Sequence, residues 1–498
     1  MSVDPIEQHK QKEDNLRVGA RGGAVAYILQ IGGTALGFIN QVALARMLGT
    51  NGIGEVILAL TIVYISGLLA AFGMQGAMMR FVPQYAEKEE KEKLKGIIYL
   101  TLIFCSLLSI VFAVVILIAS KYIALNVFHA PALLKLLPIV VIALPLNVLN
   151  SLIQAILKGY KNTFKALLPH AVISPLVRLV FFLLLSFFEV SSLYAIVAYI
   201  LGELIALVLS LTFLFNKMSG TNALYRWNEF KEIIRVGPTM IIATFGWFLF
   251  SEADIWIVGM YSSTEAVGIY GVAVKMCTFI IFTLYAFSTI MPPIISSLHA
   301  SGDTKELRRV ISESSRWILT SSMPIVLIFI LEGDIILKYM YGSEFSSGYI
   351  VLVILSLGQL VNAGSGLTGW FLQMTGGHMA FMKITIFWGI CNVILNIIFV
   401  PRFGIIASAV STSFTLSMVN IMSVWLIYKK SSILTLAKGL QFDIVFIAVI
   451  ASLYFILRIN NVNAGQHYLL IAALVIYMWK SVACGDFPWR YLKTKSIL

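Results

Sequence analysis

Charged side chains are scarce in this sequence, and their scarcity is the first clue to its class. Asp, Glu, Lys and Arg make up only 12% of the 498 residues, about half the fraction found in soluble domains. Hydrophobic residues make up 59% and occur in repeated long runs. A run of about 20 apolar residues crosses the hydrocarbon core of a membrane as a helix, whereas the alternating segments of a membrane β-barrel are missing. The sequence therefore predicts an all-α, polytopic membrane protein.

Cysteine and histidine patterns typical of metal sites are also missing. The four cysteines lie in or beside apolar runs without CxxC spacing, which favours small buried side chains over disulfides or metal ligands. The six histidines form no HExxH-like cluster. We therefore expect no catalytic residue, metal or cofactor, although a coupling Na⁺ or H⁺ is compatible with the sequence. Residues 1–20 are polar and lack the apolar core of a signal peptide, which predicts a cytoplasmic tail.

The apolar runs predict about fourteen transmembrane spans. Their expected bounds are 22–45, 54–79, 96–119, 136–157, 166–188, 192–215, 236–259, 267–298, 317–337, 348–374, 380–400, 404–428, 441–457 and 468–483. Prolines at 138, 145, 169, 175 and 324 are expected to kink or break helices. We also expect Pro292 and Pro293 to break the inner end of the long eighth span, because an interior proline removes a backbone hydrogen bond.

The distribution of basic residues predicts the orientation. With the N-terminal tail inside, most Lys and Arg fall in the inside joints, and the outside joints hold only Arg46, Lys121, Lys135, Lys338, Arg402 and Arg458. The positive-inside rule then places both termini in the cytoplasm of a multi-pass protein of the plasma membrane. The net charge of +12 is explained by this topology, so nucleic acid is not expected as a partner.

An internal repeat is suggested by three pairs of segments at nearly constant separation. Gly52–Leu60 resembles Ala266–Val274, Lys91–Leu94 resembles Thr304–Leu307, and Gln154–Lys165 resembles Leu372–Lys383. A shift of six spans preserves orientation, which predicts two parallel lobes around a central cleft. The expected divisions are a tail at 1–21, an N-lobe at 22–215, a cytoplasmic linker at 216–235, a C-lobe at 236–430, two further spans within 431–484, and a tail at 485–498.

Charges inside the predicted spans are the main candidates for function, because a charge in hydrocarbon costs several kcal/mol unless it is paired or hydrated. Arg178 and Glu203 lie at equal predicted depth on consecutive antiparallel spans, so we expect an ion pair. Glu252 and Asp254 lie across an outside turn from Lys275, and only one of the two carboxylates can readily face it. These charges either lock helices together or present charge to a substrate or coupling ion, and the sequence leaves both readings open.

Uncharged polar residues in the spans extend the candidate set. Interhelical hydrogen bonds explain most such residues, and a role in lining the cleft is the alternative for Asn40, Gln41, Gln154, Gln359 and Asn362. Near the outer end of the first span, Arg46 lies close to Glu55, where the two could form an ion pair at the rim.

Two segments carry a family resemblance. Phe38–Leu60 and Ser251–Met276 resemble the first hairpin of each lobe in polysaccharide exporters, the O-antigen flippase-like members of the multidrug/oligosaccharidyl-lipid/polysaccharide flippase superfamily. The resemblance extends over nearly the whole chain. Lipid II flippases of the superfamily carry an Arg-Asp pair where this sequence has Asn40-Gln41, and fourteen rather than twelve spans disfavours the drug antiporters.

The resemblance implies a flippase that moves a polyprenyl-diphosphate-linked oligosaccharide across the membrane by alternating access, alongside membrane lipids and glycan-assembly enzymes. Arg46, Arg178 and Lys275 are then the cationic candidates for the diphosphate, and Glu55, Glu203, Glu252 and Asp254 are candidates for ion pairing or ion coupling. A cation-coupled multidrug antiporter or a lipid II-type flippase is the alternative. A membrane glycosyltransferase or polymerase is disfavoured, because the predicted outer joints are short and hold no acidic or histidine cluster.

Overall fold

The computed structural model describes the backbone of residues 5–220, 222–437 and 440–459, together with residues 472, 475–477 and 480. Side chains are described from residue 28 onward, apart from some positions between 239 and 289 and beyond 437. Throughout these residues the regular elements are helical, which confirms the predicted all-α class.

Seventeen α-helices occur in the described residues. Their bounds are α1 Pro5–Ala70, α2 Met74–Glu87, α3 Lys91–Tyr122, α4 Leu133–Val140, α5 Ala143–Gly159, α6 Thr163–Leu167, α7 Ser174–Ser186, α8 Ser192–Lys217, α9 Trp227–Ser251, α10 Ala253–Tyr261, α11 Thr264–Cys277, α12 Phe282–Ala300, α13 Thr304–Tyr341, α14 Tyr349–Ser365, α15 Thr368–Met374, α16 His378–Ser431 and α17 Leu440–Ile459. Short π-helical turns occupy Ile123–Val127 and Leu168–Ile173, and a 3₁₀ turn occupies Ser343–Gly348.

The chain divides into two compact units. The first unit comprises Met1–Phe248 and Ser263–Gly268, and the second comprises Leu249–Ser262 and Ile269–Leu498. In the first unit α5 is central and packs against α1, α2, α3, α6 and α8. In the second unit α16 packs against α10, α14 and α15, while α13 packs against α12, α14 and α17. The predicted lobe and linker boundaries stay predictions.

Two of the helices are too long to be single spans. Ile28–Ala70 has 43 residues and His378–Ser431 has 54, lengths of about 64 and 81 Å at 1.5 Å per residue. Each contains one glycine with a positive φ, Gly49 (68°) and Gly404 (59°), where the helical geometry is interrupted. Gly49 lies in the predicted turn between the first two spans, and Gly404 is the first residue of the predicted span 404–428. The two interruptions separate each long helix into two membrane-length segments.

The described residues contain seven helices long and apolar enough to cross a membrane, or nine if each of two bent pairs is one span. This result confirms a polytopic membrane protein. The count of fourteen stays a prediction, and most of the predicted span at 468–483 lies outside the described residues.

Proline explains one helix break but not another. The α4–α5 pair bends by 43° at Val141 and Ile142, four and three residues before Pro145, where the missing N–H and the ring disturb the preceding turn. The break expected at Pro292 and Pro293 is wrong, because both prolines lie within the continuous α12.

The eighth predicted span instead bends by 55° between α11 and α12. Its N–H groups at 278–280 bond to carbonyls three residues back, which tightens the chain. Near this bend, the carbonyl of Ile280 accepts a hydrogen bond from Ser322 Oγ at 2.5 Å. The structural reason for the break is therefore a 3₁₀-like turn with a side-chain partner, which the proline pattern did not indicate.

Two glycines make reciprocal backbone contacts within the first unit. A Cβ on Gly54 would lie 1.8 Å from the carbonyl oxygen of Thr264, and a Cβ on Gly268 would lie 2.1 Å from that of Thr50. Gly54 and Gly268 occupy equivalent positions in the predicted repeat, as do Thr50 and Thr264. This twofold-like contact agrees with the parallel repeat, and only glycine allows the backbones to approach so closely.

We expect Gly54→Ala to destabilise the protein, because the added methyl group would collide with the backbone of Thr264. Backbone atoms cannot move aside by a change of rotamer, as a side chain can. Overpacking of this kind costs about 1–3 kcal/mol. Thermal unfolding of the purified protein in detergent measures the effect. Gly37→Ala on the same helix is the control, since its Cβ would meet nothing within 4 Å. Equal melting temperatures for the two variants would contradict the contact.

Candidate functional site

Arg178 and Glu203 form an ion pair at the centre of the first unit. The guanidinium Nη2 of Arg178, on α7, donates to Oε1 of Glu203, on α8. The side chain of Glu203 is fully buried, whereas that of Arg178 is 26% exposed. The ion pair predicted from equal depth on consecutive spans is confirmed.

The Glu203 carboxylate has further donors besides arginine. Asn150 Nδ2 donates to Oε2 at 2.8 Å, and Ser174 Oγ donates to Oε1 at 3.0 Å. The Arg178 guanidinium lies 4.1 Å from the centre of the Tyr199 ring, a cation–π contact. A buried carboxylate with three donors is well compensated, so Glu203 is held as the charged partner of Arg178.

Gly202 makes room for this arrangement. A Cβ at Gly202 would lie 2.6 Å from Cγ of Arg178 and 2.8 Å from the carbonyl oxygen of Ser174. The arginine stem therefore crosses α8 directly above this glycine. Of the five N–H groups that a guanidinium carries, one donates to Glu203, which leaves donor capacity on the partly exposed side of Arg178.

The polar candidates of the first helix are partly exposed. Asn40 Nδ2 donates to the carbonyl oxygens of Leu36 at 2.9 Å and Pro175 at 2.7 Å, so it ties α1 to α7. Gln41 is half-buried and Arg46 is exposed. Glu55 accepts a hydrogen bond from Ser192 Oγ at 2.5 Å and lines a cavity of about 600 Å³ together with Lys135. The proposed Arg46–Glu55 pair stays a prediction.

The second unit holds a buried carboxylate with a different environment. Asp254 is 3% exposed, and its Oδ2 accepts hydrogen bonds from Tyr270 Oη at 2.5 Å and Thr412 Oγ1 at 3.3 Å. Its Oδ1 accepts from the backbone N–H of Ile255 at 2.8 Å. Among the described side chains, no lysine or arginine nitrogen lies within 4 Å of it.

Neutral polar side chains on α16 extend the hydrogen-bonded network that begins at Asp254. Asn392 Nδ2 lies 3.3 Å from Thr412 Oγ1 and 3.1 Å from Thr415 Oγ1, and Asn396 Nδ2 donates to Asn392 Oδ1 at 2.5 Å. Asn392, Asn396 and Thr415 are fully buried. The Asn396 Oδ1 atom is buried without a hydrogen-bond partner among the described atoms, and the fully buried Ser408 interacts with Tyr270. We name Asp254, Tyr270, Asn392, Asn396, Ser408, Thr412 and Thr415 the oxygen cluster.

Glu252 is the second carboxylate at this end of the predicted seventh span. It lies at the break between α9 and α10, is half-buried and interacts electrostatically with Lys275, which is exposed on α11. Asp254 faces the oxygen cluster instead. Neither carboxylate lies within salt-bridge distance of Lys275 among the described pairs, so the expectation that only one of the two faces the lysine stays a prediction.

Gln359 and Asn362 join a hydrogen-bonded chain between α14 and α16. Asn362 Nδ2 donates to Gln359 Oε1 at 3.1 Å, and Asn420 Nδ2 donates to Asn362 Oδ1 at 3.2 Å. Ser365 Oγ closes the chain on Asn420 Oδ1 at 2.7 Å. These partners match the interhelical hydrogen bonds that explain most polar residues in spans. A role in binding substrate stays a prediction for both residues.

A second buried ion pair was missed from the sequence. Arg316 Nη1 donates to Oδ2 of Asp443, and both side chains are buried. Lys480 Nζ lies 3.8 Å from Asp443 Oδ1 and 3.2 Å from the centre of the Phe442 ring. Each charge falls within three residues of a predicted span end, so the sequence pattern indicates a charge at the membrane–water interface. The sequence feature that could have predicted this pair is the presence of opposite charges at the same predicted membrane face.

Removing Arg178 alone should destabilise the fold, because Glu203 would remain as a buried charge without its cation. We expect Arg178→Gln to lower the free energy of unfolding by about 3–5 kcal/mol. The double variant Arg178→Gln/Glu203→Gln should recover most of this loss, since no charge is left buried. Thermal unfolding in detergent checks both, and a double variant no more stable than the single one would contradict the pairing.

Comparison with known proteins gives matches over most of the chain. Residues 20–299 match the family described as Polysaccharide biosynthesis protein, and residues 239–398 match the family described as MatE. The "Probable low-salt glycan biosynthesis flippase Agl15" of Haloferax volcanii is 24% identical over 395 residues, covering 79% of this chain and 80% of that protein. Stage V sporulation protein B of Bacillus subtilis is 23% identical over 338 residues, covering 63% of this chain and 65% of that protein.

Among solved structures, the lipid II flippase MurJ in its inward closed conformation matches with a TM-score of 0.72. The match covers 93% of this chain and 99% of MurJ at 16% sequence identity, so it concerns the fold alone. The family matches and the relative named as a glycan biosynthesis flippase confirm the resemblance drawn from Phe38–Leu60 and Ser251–Met276. Because the first family match spans more than half of the sequence, the chain belongs to the polysaccharide biosynthesis protein family.

Proposed function

We propose that the protein is a flippase that moves a polyprenyl-diphosphate-linked oligosaccharide from the inner to the outer leaflet of the cytoplasmic membrane by alternating access. The observation that carries the proposal is Arg178, a partly exposed guanidinium fixed within a transmembrane helix bundle by a fully buried carboxylate. Membership of the polysaccharide biosynthesis protein family and two relatives of Haloferax volcanii named as probable flippases support it.

The physical task explains why such a residue is needed. A sugar head group and a diphosphate would lose many hydrogen bonds to water in hydrocarbon, at several kcal/mol for each unsatisfied group. A hydrated path that is open to one side at a time removes most of this barrier, while the polyprenyl tail stays in lipid. The path requires a cation for the diphosphate, and a guanidinium offers planar paired donors to phosphate oxygens.

Glu203 fixes and tunes Arg178 for this role. The carboxylate holds one edge of the guanidinium, and the Tyr199 ring covers one face at 4.1 Å. The partial neutralisation by Glu203 weakens the attraction for a dianion, which favours its release after binding. Arg46 and Lys275, both exposed, are the further cationic candidates for contacts nearer the outer face.

We propose that the oxygen cluster around Asp254 is the coupling-ion site, for Na⁺ or H⁺. One carboxylate, several hydroxyl and amide oxygens, and the buried Asn396 Oδ1, which lacks a partner among the described atoms, fit a hard monovalent cation. A bound cation would supply the positive charge that Asp254 lacks among its described neighbours. Asp254 and Thr412 would hold it, with Asn392, Asn396 and Ser408 in reach of the same cluster.

The oxygen cluster also favours the second candidate function, a cation-coupled multidrug antiporter. The MatE match at residues 239–398 covers most of the helices that carry the cluster. Glycan export is preferred because the longer family match is to the polysaccharide biosynthesis protein family. The proposal includes no enzymatic activity, places both termini in the cytoplasm, and makes glycan-assembly enzymes the expected neighbours.

We expect the double variant Arg178→Gln/Glu203→Gln to lose export while remaining folded, because it lacks the guanidinium but leaves no charge buried. Glycan display on cells that depend on this protein measures export, and membrane quantity and melting temperature serve as controls. Ser174→Ala, which removes one hydrogen bond to Glu203 but keeps Arg178, should retain display. Wild-type display by the double variant would contradict the assignment.

Ion coupling should depend on Asp254 and not on Glu252. In proteoliposomes, a concentration gradient of the coupling ion, Na⁺ or H⁺, across the membrane should stimulate transport by the wild type. Asp254→Asn should abolish this stimulation, because an amide cannot balance the ion's charge, and Glu252→Gln should retain it. Stimulation that survives Asp254→Asn would exclude this site.

A further inference from the structure

Four polar side chains form a stripe along α5 in the first unit. Asn147, Ser151, Gln154 and Lys158 follow one another at intervals of four, three and four residues, so they share one helix face. All four are partly exposed, although α5 is mostly buried between five neighbouring helices. Polar groups concentrated on a partly exposed face indicate contact with water rather than with acyl chains.

The stripe begins beside the Arg178–Glu203 pair. Asn147 Nδ2 lies 2.9 Å from the hydroxyl of Tyr199, whose ring covers Arg178. Ser151 Oγ accepts a hydrogen bond from Gln75 Nε2 at 2.6 Å, which adds an amide from α2 to the same face. From Asn150, which donates to Glu203, to Lys158 is eight residues of helix, about 12 Å.

Lys158 ends the stripe and differs from the neighbouring lysines. Its Nζ lies 3.4 Å from Gln154 Oε1, and no described carboxylate lies within 4 Å. By contrast, Lys95 donates to the carbonyl oxygen of Met218, and Lys165 and Lys217 lie over aromatic rings. Lys158 is therefore a half-buried cation with one long polar contact, on the face that carries the other polar groups.

His170 lies on the turn that joins α6 to α7. It is exposed on the π-helical turn Leu168–Ile173 and interacts electrostatically with Lys158, Arg178 and Glu203. Single π-helical turns inside helices are frequent at functional sites, because they redirect side chains. The turn thus brings an imidazole into the electrostatic neighbourhood of Lys158 and of the ion pair.

We propose that Lys158, at the end of the stripe, is an anion-binding position that receives the diphosphate before Arg178 does. This inference rests on the proposed function, because it concerns the entry of the same substrate. A diphosphate is only a few Å long, so it does not bridge the roughly 12 Å of helix between Lys158 and the Glu203 contact. The diphosphate therefore occupies the two positions in succession. Between them, the amides and the hydroxyl of the stripe form hydrogen bonds to the anion.

The test measures binding of geranylgeranyl diphosphate to the full-length protein in nanodiscs of neutral lipid. We expect Lys158→Gln to weaken binding about tenfold, the usual loss for one charge-assisted hydrogen bond, and Lys158→Arg to restore it. Lys217→Gln is the matched control, since it removes the same charge from a helix end where the ammonium lies over Tyr160. Equal affinities for Lys158→Gln and wild type would overturn the proposal.

Further measurements distinguish a diphosphate from a lipid head group as the ligand of Lys158. They also separate failure of the entry position from failure of the proposed function. Inorganic pyrophosphate should compete with the probe, and phosphatidylglycerol nanodiscs should not reproduce the Lys158 effect. If that effect appears only with phosphatidylglycerol, Lys158 binds lipid head groups and the entry role is excluded. Absence of wild-type binding would overturn the proposed function as well. Binding that is weakened by Arg178→Gln/Glu203→Gln, but not by Lys158→Gln, would overturn only the entry position.

Discussion

A carboxylate sealed inside a transmembrane bundle is the constraint on which the first unit depends. Glu203 is fully buried, and its charge requires the guanidinium of Arg178 together with donors from α5 and α7. These contacts fix three helices relative to one another and hold a partly exposed cation in place. The energetic requirement of Glu203 thus produces the feature that a diphosphate would recognise.

The second unit solves the same problem in a different way. Asp254 is buried but receives hydroxyl and backbone donors, and its described surroundings supply oxygen atoms instead of a cation. A site of this kind favours an external cation, whereas the Arg178–Glu203 pair is already neutral overall. The roles proposed for the two units differ in charge, with an anion bound in the first and a cation in the second. Under the proposed function, that difference suits coupled transport of an anionic lipid.

Much of this could be predicted from the sequence, because intramembrane charge is conspicuous there. Equal depth on consecutive spans was enough to predict the Arg178–Glu203 pair. The break near Pro292 was predicted wrongly, since the tightened turn before α12 depends on a tertiary contact from Ser322. The Arg316–Asp443 pair was missed because both charges lie near span ends, where water normally solvates them. Lys158 was likewise indistinguishable from the other lysines of the predicted inside joints until the partly exposed face of α5 was known.

The central claim is that the Arg178 guanidinium meets a hydrated anion within the membrane. A cryo-electron microscopy structure of the protein in nanodiscs with geranylgeranyl diphosphate tests it most directly. The account predicts phosphate density within hydrogen-bonding distance of Arg178 while Glu203 keeps the other edge of the guanidinium. Acyl-chain density packed against Arg178, with the diphosphate bound elsewhere, would contradict it.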